Sequence, residues 1–393
     1  MEYQARRAGD LNFEINFMLI GIDASRAIKN QPTGTEYYCQ EIIKALARID
    51  RKNFYILYAP EAPRNELKKL PDRFSWRIIP FPRLWSQIRL SWELLTTKTR
   101  PDVMFEPAHT VPLIHTAPMV VTIHDLGFKY YPELYTRFEN FYHNFSAKFS
   151  TKHSAHIITV SNYSASDIQK NYPVKPSKIS VVYHGIDEQI FRLPNLREQK
   201  TNLIPQIKKP YIFYIGRLEK KKNITNLVKA YALLRQEKKI THQLVLTGKP
   251  GFGYNQIQQE IDQLSPEISK DIIQTGYIRQ NDYPILLKNA DIFAFVSNFE
   301  GFGMPVIEAF ACGVPVVCSN RTSLPEIAQN AAILINPKKP FEIAVAFSKI
   351  INKPALKSAL ISKGIKRASL FSWDTAARKT LNILEMIGKK NKN

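Results

Sequence analysis

A chain of 393 residues, 44% hydrophobic and 11% aromatic, is long enough for two ordinary domains and apolar enough to give each a core, which excludes global disorder. Its net charge of +21 calls for an acidic partner, a condition that nucleic acid, anionic lipid headgroups and diphosphate-bearing substrates all meet. Cys39, Cys312 and Cys318 form neither a paired framework nor a metal-ligand spacing, and no run reaches the roughly eighteen apolar residues of a bilayer span, so the expectation is a cytoplasmic protein whose membrane contact, at the inner face of the cell membrane, is peripheral.

Residues 1–17 are mixed and polar, and Met18, directly ahead of the first apolar run, is a candidate natural start. Short apolar runs at 19–22, 54–58, 103–105, 119–123, 156–160 and 179–183 read as strands, with helices at 36–49, 85–97, 133–152 and 165–171 between them. The scheme repeats with strands at 211–215, 244–247, 272–274, 292–296, 314–318 and 333–335. This alternation predicts an α/β protein with one helix-covered parallel sheet in each half. The polar, proline-bearing stretch 192–210 reads as the hinge between domains at 18–200 and 201–372. Ser372, Trp373 and Asp374 suit the start of a last helix over 375–387, inside a closing segment 373–393 with a basic tail.

Chemistry concentrates between Ser297 and Ala309, Ser-Asn-Phe-Glu-Gly-Phe-Gly-Met-Pro-Val-Ile-Glu-Ala. The apolar run ahead of it reads as a strand buried on both faces, and Pro305 suits the first turn of a helix, where a missing N–H costs nothing. Glu300 then lies on a loop at a strand's carboxyl end, where open α/β sheets bind ligands, with Glu308 in the helix that follows. Gly301 and Gly303, on either side of Phe302, let backbone approach a ligand, and free N–H groups at the helix start favour a diphosphate. The two carboxylates are left to hold hydroxyls.

Residues 211–224 form a second strand, glycine turn and basic loop, which puts Gly216, Arg217 and Lys222 at the carboxyl edge of the first strand of the second half; Lys220 and Lys221 read as solvated. In the first half, Val-Val-Thr-Ile-His-Asp-Leu at 120–126 sets His124 directly after a buried strand, whereas His109, His115, His143, His153, His156 and His242 read as structural. The chain contains no Asp-x-Asp and no His, Cys or carboxylate cluster with metal-ligand spacing, so no metal is expected. Two fixed cations supply the charge instead.

In this order, the His-Asp, Gly-Arg...Lys-Asn and Glu-x7-Glu elements resemble those of retaining glycosyltransferases of the family 4 type. The overall run from Met18 looks most like the bacterial mannosyltransferases that act on O-antigen-type glycans. The resemblance implies a GT-B architecture, two Rossmann-like domains facing a cleft, with the last segment crossing back onto the first domain. It implies transfer of a hexose, with mannose from GDP-mannose the expected case, from a nucleoside-diphosphate sugar to a glycan or lipid-linked acceptor, without a further cofactor. On that pattern Arg217 and Lys222 grip the donor diphosphate, Glu300 meets the sugar hydroxyls, Glu308 reaches the ribose, and His124 lies beside the sugar. Lys249 matches a second cationic contact, and the backbone at Tyr277 and Ile278 a reader of the nucleobase. Gly34 stands in a loop closing over the diphosphate, where many members carry two adjacent glycines and this chain has one. His184 occupies a position more often Asn, and reads as a turn closing the domain.

Two segments bear on the acceptor. Trp85, Ile88, Trp92 and Leu95 share a helical stripe that reads as core before membrane anchor, and residues 130–152 interleave Tyr and Phe with Lys and Arg. Contact with anionic lipid is one reading of them. Other enzymes of the same fold, such as a sugar-nucleotide epimerase or a phosphorylase, stay open. A nucleic-acid-binding protein has only the charge in its favour and no reading motif, so no nucleic acid is expected.

Overall fold

The computed structural model describes residues 17–30, 32, 34–191 and 204–392. The extension 1–16, Gln31 and Thr33 of the glycine loop, and residues 192–203 of the expected hinge lie outside them.

Two parallel sheets organise the chain. The first joins β1 (Leu19–Asp23), β2 (Phe54–Ala59), β3 (Phe74–Ile78), β4 (Val103–Glu106), β5 (Met119–Ile123), β6 (His156–Thr159) and β7 (Ile179–Val181) in the order β3-β2-β1-β4-β5-β6-β7. The second joins β8 (Tyr211–Ile215), β9 (Gln243–Thr247), β10 (Ile272–Gly276), β11 (Ile292–Phe295), β12 (Val316–Ser319) and β13 (Ala332–Ile335) in the order β10-β9-β8-β11-β12-β13. In each sheet the winding reverses beside the first strand, between β1 and β4 and between β8 and β11, and ligand crevices of open α/β sheets form at such carboxyl edges. The strands β1, β4, β5, β9 and β11 are buried throughout, which is why they are mostly apolar. β3 is an edge strand, Phe-Ser-Trp-Arg-Ile, with only Phe74 buried, and it carries too little apolar pattern to be read ahead of the structure.

The helices that matter for the site are α1 (Gly34–Ile49), α2 (Ser91–Thr96), α3 (Arg137–His153), α4 (Asn162–Asn171), α5 (Ile224–Gln236), α6 (Met304–Ala311) and α7 (Trp373–Lys392). Two expected helices are corrected. The one at 133–152 is broken: Pro132–Leu134 is a 3-10 turn, and α3 starts after Thr136, whose hydroxyl accepts from the Glu139 amide while the Glu139 carboxylate accepts from the Thr136 amide. The one at 85–97 opens with a π turn, Ser86–Leu90, before α2. That wider turn shifts the helical phase, so Trp85 is buried but Ile88, Trp92 and Leu95 emerge into solvent. The stripe read as core is therefore an exposed face.

The last helix is longer than expected and does cross back. Asp374 pairs with Arg48 of α1 at 2.7 Å, and Glu385 accepts from Asn53 Nδ2 at 3.0 Å. Gly388 is needed where it meets Met18, because an added Cβ would lie 2.1 Å from the Met18 methyl. Ala376, Ala377, Leu384 and Ile387 share one core with β1, β2, β4 and α1.

Candidate active site

In the second unit, the chain leaves β11 and reaches α6 through Gly303 at φ 99°, a left-handed conformation, with Leu324 only 2.6 Å from where a Cβ would stand. Between them, the Glu300 amide donates to Thr322 Oγ1 at 3.1 Å, and Ser323 Oγ lies 3.0 Å from both the Glu300 and Phe302 carbonyl oxygens. The backbone is thus pinned and the Glu300 carboxylate is free to turn outward, where it accepts from Lys222 Nζ at 2.7 Å. Asn223 closes the basic turn in the left-handed conformation at φ 63°. Its Nδ2 donates to Val296 O and Pro337 O, at 3.1 and 2.7 Å, which ties that turn to the end of β11.

The three lysines of this turn diverge because consecutive residues of a 3-10 turn point about 120° apart. Lys220 faces solvent and reaches Glu133 of the first unit at 3.2 Å. Lys221, read as solvated, is instead drawn inward. Burial alone would lower its ammonium, but the Asp125, Glu300 and Glu219 carboxylates outweigh it and hold the group above its ordinary value. Arg217 is exposed, its stem against Gly251 and its position set by Gly216 at φ 145°. The adjacent strand ends touch: Gly216 N donates to Thr247 O and Gly248 N to Gly276 O, both at 2.9 Å. Beyond them Lys249 Nζ stands 4.9 Å from the centroid of the exposed Tyr277 ring, with Ile278 partly buried next to it.

Glu308 lies one turn into α6 and is buried, its Oε2 accepting from Tyr283 OH at 2.6 Å. Burial pushes its carboxyl up to about 7, against the opposing pull of that hydrogen bond. Phe302 places its ring in the junction between units, 4.6 Å from His184 and 5.8 Å from Phe371, so what this residue offers the loop is its backbone.

The first unit supplies the facing wall. His124 follows β5, buried, with Nε2 2.9 Å from Pro107 O; its ring packs edge-on to Tyr38 at 4.7 Å and lies 5.1 Å from His109. Burial holds the imidazole below its usual value, which leaves it neutral. Asp125 accepts from the Gly127 amide at 2.7 Å; burial would raise its carboxyl, but Lys221 and that amide keep it low. Gly301 presses directly on this loop, since an added Cβ would stand 2.5 Å from His124 O, and its own carbonyl accepts from Ser161 Oγ at 2.7 Å. Gly34, the first residue of α1, meets the Met304 methyl at the start of α6. His124, Glu300, Gly301 and Lys222 are therefore brought together, while Lys249 and Tyr277 sit further along the β9 and β10 ends. His184 packs among Tyr38, Trp373 and Phe302, as a residue closing a domain would.

Residues 197–367 match the family model described as glycosyl transferases group 1, and residues 32–190 the one described as Glycosyltransferase Family 4. Over 388 residues the chain is 32% identical to the O-antigen chain mannosyltransferase B of Escherichia coli, covering 93% of this chain and 99% of that one. The chain belongs to the family 4 glycosyltransferases. A shorter match, 28% identical over 229 residues, covers 58% of this glycosyltransferase and 59% of the O-antigen chain mannosyltransferase RfbU of Salmonella typhimurium. Among solved structures, HepE of Anabaena in complex with UDP and glucose superposes with a TM-score of 0.72 at 19% identity, covering 94% of this chain and 100% of that one. WaaG, a glycosyltransferase involved in lipopolysaccharide biosynthesis, gives 0.69 at 16% identity, covering 93% and 99%. These likenesses show the GT-B fold.

Three site residues of this glycosyltransferase carry no motif. Lys221 hid in a run of lysines, and Tyr283 had no signal marking it as the partner of Glu308. Glu326, on the second unit, accepts from the Asn162 and Tyr163 amides at the start of α4, at 2.8 and 3.1 Å, and from Tyr183 OH at 2.6 Å. It holds the two units together as a borrowed N-terminal cap, a contact that only the folded chain creates. Among the described residues no group of three or more His, Cys, Asp or Glu side chains is arranged to hold a metal ion, and no helix is long and apolar enough to cross a membrane.

Proposed function

We propose that this glycosyltransferase is a retaining, metal-independent hexosyltransferase of polysaccharide biosynthesis. It would take mannose from GDP-mannose and pass it to a glycan or lipid-linked glycan. The acceptor side would be residues 18–200, the donor side 201–372, and 373–393 the strap between them. The observation that carries the reading is the Lys222 to Glu300 pair at 2.7 Å, set against the His124 loop across the cleft. The donor identity rests on the likeness to the Escherichia coli mannosyltransferase.

Arg217, Lys222 and Lys249 would neutralise the leaving diphosphate, whose charge grows as the bond from its oxygen to the anomeric carbon breaks. Lys222 is already aimed at the carboxylate that would hold the sugar hydroxyls, so diphosphate and sugar would be fixed by one ion pair. The acceptor hydroxyl would bond to the anomeric carbon from the face the diphosphate leaves, and the departing phosphate oxygen would take its proton. His124, neutral and buried, would shape that face. Glu308 would hold the ribose, and the backbone at Tyr277 and Ile278, with Gly34, Gly216, Gly301, Phe302 and Gly303, would line the nucleotide.

Separating the two carboxylates tests this. Glu300→Gln should lower turnover by about a hundredfold, with affinity for the nucleoside diphosphate held within about twofold, whereas Glu308→Gln should weaken nucleotide affinity about tenfold even without a sugar. Calorimetry and turnover at saturating donor measure both, and a Glu300→Gln enzyme with normal turnover contradicts the assignment.

A further inference from the structure

We infer that α2, α3 and the loop joining β4 to β5 form a docking surface for an anionic lipid bilayer. The inference rests on the transferase reading only for its lipid-linked acceptor. α3 is built inside out for a soluble helix: it buries Ser146, Ala147, Ser150 and Thr151 and presents Phe138, Phe141 and Phe145 to solvent, while Phe149 packs partly against the core. Phe138 and Phe141 are 63% and 68% exposed, and Phe145 continues the row. At spacings of three and four residues they make one stripe, with Phe141 and Phe145 stacked at 6.3 Å and Phe145 and Phe149 at 6.0 Å.

The π turn ahead of α2 brings Ile88, Trp92 and Leu95 outward as well, and Trp92 is 62% exposed. The loop between the two helices is bonded to the buried side of both and holds them as neighbours. The Ile114 amide donates to Ser91 Oγ at 3.2 Å, and the Val111 amide to Ser150 Oγ at 3.0 Å. That loop adds exposed Leu113 and Ile114. The surface starts at the cleft, since Glu133, just ahead of α3, pairs with Lys220 of the second unit.

Charge decides the occupant. Residues 77–100 carry Arg77, Arg83, Arg89, Lys98 and Arg100 against one carboxylate, Glu93, which is buried between Arg77 and Arg89. α3 adds Arg137, Lys148 and Lys152 against Glu139. Exposed aromatics flanked by cations fit the boundary between acyl chains and anionic headgroups, where an apolar face sinks about 5–10 Å. A second copy would bring like charges together.

Flotation of the full chain with vesicles, without donor or acceptor, tests the surface independently of transfer, so a chain that binds lipid but transfers nothing fails only the functional reading. The chain should float with phosphatidylcholine mixed with phosphatidylglycerol, more weakly with phosphatidylcholine alone, and less as salt rises. Replacing Trp92, Phe138 and Phe141 by Ser should reduce partition by about tenfold or more. Reversing Arg137, Lys148 and Lys152 to Glu should abolish the preference for anionic vesicles while leaving the apolar row intact; thermal unfolding of both variants should match the parent. Undiminished flotation of the serine variant overturns the proposal. So does failure of the parent to float, or a parent that sediments as a dimer while the serine variant is a monomer.

Discussion

Lys220, Lys221 and Lys222 are neighbours in sequence and go to three destinations: Glu133 across the cleft, a buried ring of carboxylates, and Glu300. Composition showed a basic run; the handedness of one 3-10 turn distributes it. Glu308 is the residue whose protonation has the clearest consequence. Its folded value, about 7, lies above the ordinary 4.5, so between those values the folded chain keeps a proton that the unfolded chain has released. The stability tied to this carboxyl is fully present below 4.5 and is lost as pH rises through 7. Glu308→Gln keeps an oxygen for Tyr283 OH and cannot ionise. Relative to the parent it should gain on the order of 3 kcal/mol between those pH limits. Urea denaturation of both proteins across the range measures the difference, and a difference that stays flat contradicts the cause given for the shift.

Among elements, the loop between β11 and α6 is the one both units depend on. Gly301 allows the His124 carbonyl to approach, and the Ser161 and Ser164 hydroxyls close over the Gly301 carbonyl at 2.7 and 3.3 Å. Gly301→Ala should force the units apart by steric contact: turnover should fall by about a hundredfold or more and the radius of gyration in solution should rise. Normal turnover and an unchanged radius would show that the approach is not needed. Strands such as β1, β5 and β11 were legible because burial on both faces demands mostly apolar runs. β3, half exposed at a sheet edge, was not, nor was the π turn that rotates Trp92 outward, because a phase slip of one residue leaves no mark in composition. Likewise Glu300, Arg217 and His124 stood out as motif residues. Tyr283 and Glu326 act through contacts made only when distant segments meet.

At the scale of the whole molecule, the loops that follow β5 and β11 meet at Gly301, α7 straps the second unit to α1, and the Glu326 carboxylate caps α4 from across the junction. The cleft between the units sets Lys221 and Lys222 at Glu300, with Arg217 exposed nearby and a neutral histidine opposite; under the proposed function these cations would stabilise a departing diphosphate. The central claim is therefore a transfer that needs no metal and keeps the anomeric configuration of its donor. Carbon and proton nuclear magnetic resonance of the reaction, run in EDTA with GDP-mannose and a lipid-linked glycan, tests it most directly through the one-bond coupling at the new anomeric centre. The account predicts continued turnover and an α-linked product from the α-linked donor; an inverted product, or turnover that stops in EDTA and returns with magnesium or manganese, would contradict it.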